Sequence, residues 1–177
     1  MRVSETDSRN FLRSIDSSVS PETSIVRRYL PTVEFEETDQ DDRRLKDLVR
    51  KSSIREGARI FPCFEYKGVQ VYILDETNLM STGTLKSIDG AVSIARSLHR
   101  GDQRVVLESG GNTGTALCSY GSRMGLDLFL FMPSENIYLL NSGIFRRKGI
   151  HLVAVDDPGM VKPVADAFTG SLPGSRH

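Results

Sequence analysis

Between Arg104 and Pro133 two short, uniformly apolar runs, RVVLE and LDLFLFM, flank a glycine-rich joint and a helix-like stretch, TALCSYGSRMG. Strands without polar alternation bury both faces, which is the mark of a parallel sheet covered by helices. Leu117, Tyr120 and Met124 share one helical face, and Gly125 stands where that helix should end. A third run, HLVAV, follows a further helical pattern, ENIYLLNSGIFRRKG, which Ser134 is placed to cap. Upstream, KSIDGAVSIARSLHRGD carries Ile88, Ala91, Ala95 and Leu98 on one stripe, with Gly101 at its C-terminal end. Strands alternating with helices dictate an α/β fold: a three-layer parallel sheet with helices on both faces.

The flanks differ in texture. CFEYKGVQVYILDE predicts two short strands turning at Lys67-Gly68, and NLMSTG breaks the pattern after them. The first fifty residues are rich in Ser, Thr, Asp, Glu and Arg; there Leu45, Leu48 and Val49 predict one short amphipathic helix in an otherwise solvated arm. The expected organisation is a polar arm over 1–55, strands leading into a site over 56–80, a small binding domain over 81–157, and a tail over 158–177. That tail begins as a helix and ends in Gly, Ser and Pro.

Lys+Arg and Asp+Glu both count 23, so no basic footprint exists for nucleic acid or an anionic membrane. Small neutral or zwitterionic ligands are the expected partners. No window approaches the roughly 20 apolar residues of a membrane span. The N-terminus MRVSETDSRN has acids and no apolar run of the secretory kind. With Cys63 and Cys118 far apart and without metal-ligand company, a reduced, cytoplasmic setting is expected.

The joint ESGGNTG spans residues 108–114, at the C-terminal end of a strand and the start of a helix. Ligands of open parallel sheets bind at such ends, where unpaired N–H groups and the helix dipole favour phosphate or carboxylate. Gly110 and Gly111 permit close approach, and Ser109, Asn112 and Thr113 add hydrogen-bonding side chains. The spacing fits neither the phosphate loop GxxxxGK[ST] nor GxGxxG, and by itself the joint reads equally well as a tight structural turn. Lys86 in MSTGTLKSIDG falls at a helix N-terminus, where a cation opposes the dipole by about 0.3–1 kcal/mol. That field favours the neutral amine a Schiff base needs, although most lysines are merely solvated.

Taken together, STGTLKSIDGA and ESGGNTGTAL resemble two signatures of the fold-type II pyridoxal-phosphate enzymes, the tryptophan synthase β-like superfamily that includes cysteine synthase, threonine synthase and serine/threonine dehydratases. Glu76 and Asn78 precede the lysine as in those motifs, and SGGNTGTALCSYGSRMGLDLFLFMP keeps their order over about residues 70–157. The resemblance implies that Lys86 holds the aldehyde of pyridoxal 5'-phosphate and then serves as acid and base at the substrate Cα. It implies that Asn112 bonds the cofactor's phenolic oxygen, while Ser109, Gly111 and Thr113 grip the substrate carboxylate. Gly110, in the same loop, stands where relatives place Ser or Thr. The activity implied is β-elimination or β-replacement on an amino acid, cysteine synthase-like or threonine synthase-like.

Other departures accompany Gly110. Leu85 replaces the usual Phe or Val, and Ser87-Ile88 replaces Asp-Arg, so that KSIDGA stands closer to diaminopropionate ammonia-lyases. Relatives continue for about 150 residues more, with a glycine-rich phosphate loop; here Gly159, Gly170 and Gly174 are scattered. The expected fold is therefore an incomplete one, paired with a complementing C-terminal half or forming a homodimer. The rival expectations are a catalytically silent fragment or partner subunit, and a generic phosphate- or nucleotide-binding module. Cys118, Tyr120 and Phe145 read as core, and His99 and His151 as surface or helix-end residues.

Overall fold

The computed structural model describes residues 13–36, 38–76, 78–140 and 142–172. Its centre is a parallel sheet of β3 (Arg104–Glu108), β4 (Asp127–Pro133) and β5 (Ile150–Val155), with β4 in the middle. Two other strands, β1 (Arg59–Tyr66) and β2 (Val69–Asp75), form a separate antiparallel hairpin. The helices among the described residues include α1 (Ile25–Tyr29), α2 (Asp39–Ser52), α3 (Lys86–His99), α4 (Asn112–Arg123), the single turn α5 (Ser142–Phe145) and α6 (Val161–Ser171).

The pleat sorts the apolar runs onto two faces. Leu107, Leu128, Leu130 and Met132 meet Ala91, Ile94 and Ala95 of α3 and Cys118 and Tyr120 of α4. Val106 and Phe131, with Phe129, Val153 and Val155 beside them, meet Val161, Ala165 and Phe168 of α6. Helices thus cover both faces, and the three layers expected from the runs are present. Burying a residue such as Leu128 or Phe131 contributes about 1.5–3 kcal/mol, so β4, buried on both sides, anchors the whole.

Two glycines set how closely α4 lies on β4. A β-carbon at Gly114 would stand 2.9 Å from Leu130 Cδ1, and one at Gly121 would stand 2.6 Å from Leu128 Cδ2. Both exceed what real contacts allow, so the glycines exist for helix–sheet approach. Gly101 and Gly125 end α3 and α4 in the left-handed region at φ +81° each, as their positions predicted.

The arm expected to be solvated is packed from Ser24 to Ser53. Helix α2 forms where Leu45, Leu48 and Val49 indicated, with Thr38 Oγ accepting from Asp41 N–H at 3.2 Å and acids in its first turn. Leu45 and Val49 are fully buried in the core containing α3, and Val26 and Leu30 join them. Sparse apolar residues spaced along a polar segment are enough, because each falls on the inward side.

Two further expectations are corrected, and the expected start of a helix in the tail is met. The stretch after Pro133 is a 3-10 helix, Ser134–Leu139, followed after a break by α5, and not one continuous helix. Leu140 is extended (φ −80°, ψ 139°), and Pro133 supplies no side-chain cap; Tyr138 and Leu139 lie exposed, so no continuous stripe is buried. Strand β5 is an edge, and His151, Leu152 and Ala154 are exposed although the run is apolar. The tail is a helix as far as Ser171, with Val161 and Ala165 buried; residues beyond 172 lie outside the described range.

The hairpin turns at Lys67 and Gly68, the positions expected. Cys63 is an extra residue between Pro62 (opposite Tyr72) and Phe64 (opposite Val71), so β1 carries a bulge. The bulge gathers Phe61, Phe64, Tyr66, Val69, Val71 and Ile73 on one face, five of which are exposed large hydrophobics. The base is held by Ala58 N–H donating to Pro21 C=O and by an Arg59–Asp75 ion pair at 2.8 Å.

Candidate functional site

The glycine joint sits where β3 ends. Ser109 N–H continues the sheet by donating to Phe131 C=O at 3.0 Å. Its hydroxyl then accepts from Gly111 N–H at 3.2 Å and Gly114 N–H at 2.8 Å, satisfying one of the orphan donors at the start of α4. Thr115 N–H donates to Gly111 C=O. Among the described residues the amides of Gly110, Asn112 and Thr113 have no acceptor. The result is a turn presenting N–H groups at the positive end of a twelve-residue helix, an arrangement suited to an anion.

Ser109 therefore carries a task the motif alone did not reveal: its oxygen holds the turn, and its own hydrogen remains available to donate. Gly110 and Asn112 are exposed, and Gly111 and Thr113 are half-buried. The 3-10 segment leans over them, with Asn136 Nδ2 at 3.3 Å from where a β-carbon of Gly110 would be. A shallow cavity of about 310 Å³ adjoins the turn, lined by Glu108, Ser109, Gly110, Pro133, Pro158 and Val161.

Lys86 is the first residue of α3, at the helix N-terminus predicted for it. Its Nζ donates to Asp89 Oδ2 at 2.8 Å, and both side chains are about half exposed, 48% and 53%. Such a pair holds the amine by only about 0.2–1 kcal/mol. The amine is thus reachable, but it is directed to its own helix and does not line the cavity beside the glycine turn. The geometry unites Ser109, Gly110, Gly111, Asn112 and Thr113 in one turn, and leaves Lys86 on the neighbouring helix.

The two motif segments meet through α4. Gly90 of α3 packs flat on the Tyr120 ring, where a β-carbon would stand 2.9 Å from Cδ2. The Tyr120 hydroxyl lies 2.9 Å from Ser81 Oγ in the turn leading to Lys86. Burial, with a hydrogen bond to Glu56 adding to it, pushes the phenol well above its ordinary range. Sequence reasoning placed Tyr120 in the core and overlooked both its hydroxyl and Glu56, which looks like any other charge in KSSIREGAR.

The other candidates stand as their positions suggested. Cys118 is fully buried, and desolvation pushes its thiol up to about 12, which removes it as a nucleophile. His151 stacks on Phe129 with centroids 4.5 Å apart at the exposed edge. His99 ends α3 beside Asp41 at 3.8 Å. No helix among the described residues is long and apolar enough to cross a membrane.

No protein-family model matches the chain, and no curated protein matches it in sequence. Solved structures do match. The fold is similar to that of an O-acetylserine-dependent cystathionine β-synthase from Helicobacter pylori, with TM-score 0.53 and 16% identity over 72% of this chain and 44% of that one. A hydrogen sulfide-producing enzyme solved with an α-aminoacrylate intermediate matches with TM-score 0.55 and 16% identity, over 76% of this chain and 42% of its own. The α/β fold is that of these enzymes, as the two motifs led one to expect. The chain spans less than half the length of either.

Proposed function

We propose that this chain provides the lysine- and glycine-turn-bearing part of a pyridoxal-phosphate-dependent enzyme, catalysing β-elimination or β-replacement on a small amino acid. One observation supports the reading above others. Both motifs meet on α4, which opens at the glycine turn and touches the lysine turn through Tyr120. The donors fit the cofactor's aldehyde and the substrate's carboxylate. An accessible primary amine suits an aldehyde, and three unengaged amides at a helix N-terminus suit a carboxylate.

When bound, the cofactor supplies an electron sink for the Cα carbanion. The chain's own residues bind, orient and move the proton. Lys86 would leave its Asp89 partner, at a cost of about 0.2–1 kcal/mol, to hold the cofactor's aldehyde. Its amine, once displaced by the substrate's own, would be the base and acid at Cα. The turn of Gly110, Gly111 and Thr113 would hold the substrate carboxylate by the unengaged amides of Gly110 and Thr113 and the Thr113 hydroxyl, with Gly111 leaving room for its approach. Ser109 keeps that turn in shape and could add its hydroxyl hydrogen, and Asn112 would bond the ring's phenolic oxygen. Fixing the carboxylate and the amine on two packed helices is the orientation that such chemistry requires. The rest of the enzyme comes from a complementing C-terminal half or a second copy.

A second reading has its own support. Lys86 pairs with Asp89 and lies outside the cavity. Those facts favour a catalytically silent partner subunit with the same fold. Borohydride reduction of the purified chain with pyridoxal 5'-phosphate, followed by peptide mass mapping, decides between them. The enzymatic reading expects the label on Lys86 and its loss in Lys86→Ala. Labelling spread evenly over surface lysines would refute it.

A further inference from the structure

Glu56 is fully buried, yet no lysine or arginine pairs with its carboxylate among the described residues. Neutral donors converge on it instead. Oε1 accepts from Ile54 N–H at 2.7 Å and from the Tyr120 hydroxyl, while Oε2 accepts from Ser24 Oγ at 2.9 Å and from Ser53 Oγ. Both oxygens act purely as acceptors, so the Tyr120 hydrogen is committed to Glu56. The Tyr120 oxygen is then left to accept, and the Ser81 hydroxyl at 2.9 Å must be the donor.

Beyond Ser81 the contacts pass to the backbone and to a second, separate pair of hydroxyls. Ser81 N–H donates to Arg55 C=O at 2.7 Å, beside Glu56 itself. Thr82 N–H donates to Ser87 Oγ at 3.3 Å, and the Thr82 and Ser87 hydroxyls lie 2.7 Å apart, with Ser87 fully buried one residue after Lys86. A backbone bridge joins Glu56 to Met80 and another joins it to Ser24. The turn Ser81–Leu85, which has no side-chain cap of its own at the start of α3, is therefore held from below by a buried carboxylate.

We infer that Glu56 and Tyr120 are positioning residues for Lys86: through Ser81 they fix the turn from which the amine projects. The inference rests on the proposed role of Lys86, but its anchoring step needs no cofactor to be tested. A carboxylate suits this post because it offers several acceptor sites and no competing donor. A glutamine would turn a donor toward two of the four groups, and a buried donor facing a donor loses its bond outright.

The test is hydrogen exchange by mass spectrometry on the whole chain, comparing wild type with Tyr120→Phe, Ser81→Ala and Glu56→Gln. Loss of one hydrogen bond predicts about a fivefold drop in protection of the amides between Ser81 and Ser87, with β4 unchanged. Ser81→Ala keeps Glu56 and Tyr120 paired, so it reports on the turn even where Glu56→Gln unfolds the protein. The second readout is the fraction of pyridoxal 5'-phosphate trapped on Lys86 by borohydride, expected to fall severalfold in Tyr120→Phe and Ser81→Ala, and to be restored by Ser81→Thr. Unchanged protection in both variants, or an equal loss in β4, overturns the inference. If the wild-type chain traps no cofactor on Lys86, the enzymatic reading falls, and hydrogen exchange still decides whether the anchor exists.

Discussion

Replacing Gly121 by alanine separates the two forces acting on a helical glycine. In an open helix the change is favourable by about 0.5–1 kcal/mol, because glycine loses more backbone freedom on folding. At Gly121 the new methyl would stand 2.6 Å and 2.9 Å from the two Cδ atoms of Leu128 and 3.1 Å from Ile94 Cδ1. Leu128 is 0% exposed and Ile94 1%, so neither has room to yield. Overpacking of this kind costs about 1–3 kcal/mol, which outweighs that gain and leaves a net loss of up to about 2.5 kcal/mol. Gly170 in α6 is the control, since nothing lies within 4 Å of its β-carbon position. Gly170→Ala is expected to stabilise by up to about 1 kcal/mol. For a chain of this size each kcal/mol moves the thermal midpoint by about 2–4 °C, so calorimetry resolves the opposite signs. If both variants raise the midpoint together, the close approach of α4 to β4 is not what keeps glycine at 121.

Gly57→Ala should be more severe, because its β-carbon would stand 2.1 Å from the backbone oxygen of Glu22, which has no flexible end to retreat; a loss beyond about 2 kcal/mol in urea denaturation is expected. A thiol reagent should modify one cysteine per native chain, the exposed Cys63, and two after denaturation, since Cys118 is buried with its thiol raised to about 12. Two rapid equivalents from native protein would contradict that burial. The Lys46 ammonium at 2.7 Å, and Phe35 N–H behind it, hold Asp42 below the usual carboxylate range. A lowered folded value contributes stability above about pH 4 that disappears as pH falls through it. The stability gap between wild type and Asp42→Asn should therefore be full at neutral pH and close under acid; a gap that widens on acidification would reverse the sign.

The parallel sheet was legible because β3 and β4 carry unbroken apolar runs, the pattern that strands covered on both faces favour. Gly101 and Gly125 marked helix ends for a conformational reason that survives any packing. What escaped was decided at a distance. Val26 and Leu30 are ordinary apolar residues in a polar stretch, and only the folded chain brings them to α3. The helix expected after Pro133 gave way because Ile137 and Leu139 lie outward, which the spacing alone did not foretell. At the candidate site the glycine turn opened a helix as expected, at Asn112. The capping by Ser109 and the burial of Glu56 were not visible, since both depend on which way a side chain faces once its neighbours arrive.

The bulge at Cys63 makes pairing matter more than identity or length there. Exchanging Cys63 for serine keeps the pleat count, and Phe64 and Tyr66 stay beside Phe61. Deleting the residue restores an unbroken ladder in which Phe64 still faces Val71 and Tyr66 still faces Val69, so the aromatic row survives that change too. The row is divided between front and back only where Cys63 is itself paired with Val71, which turns Phe64 and Tyr66 to the other side.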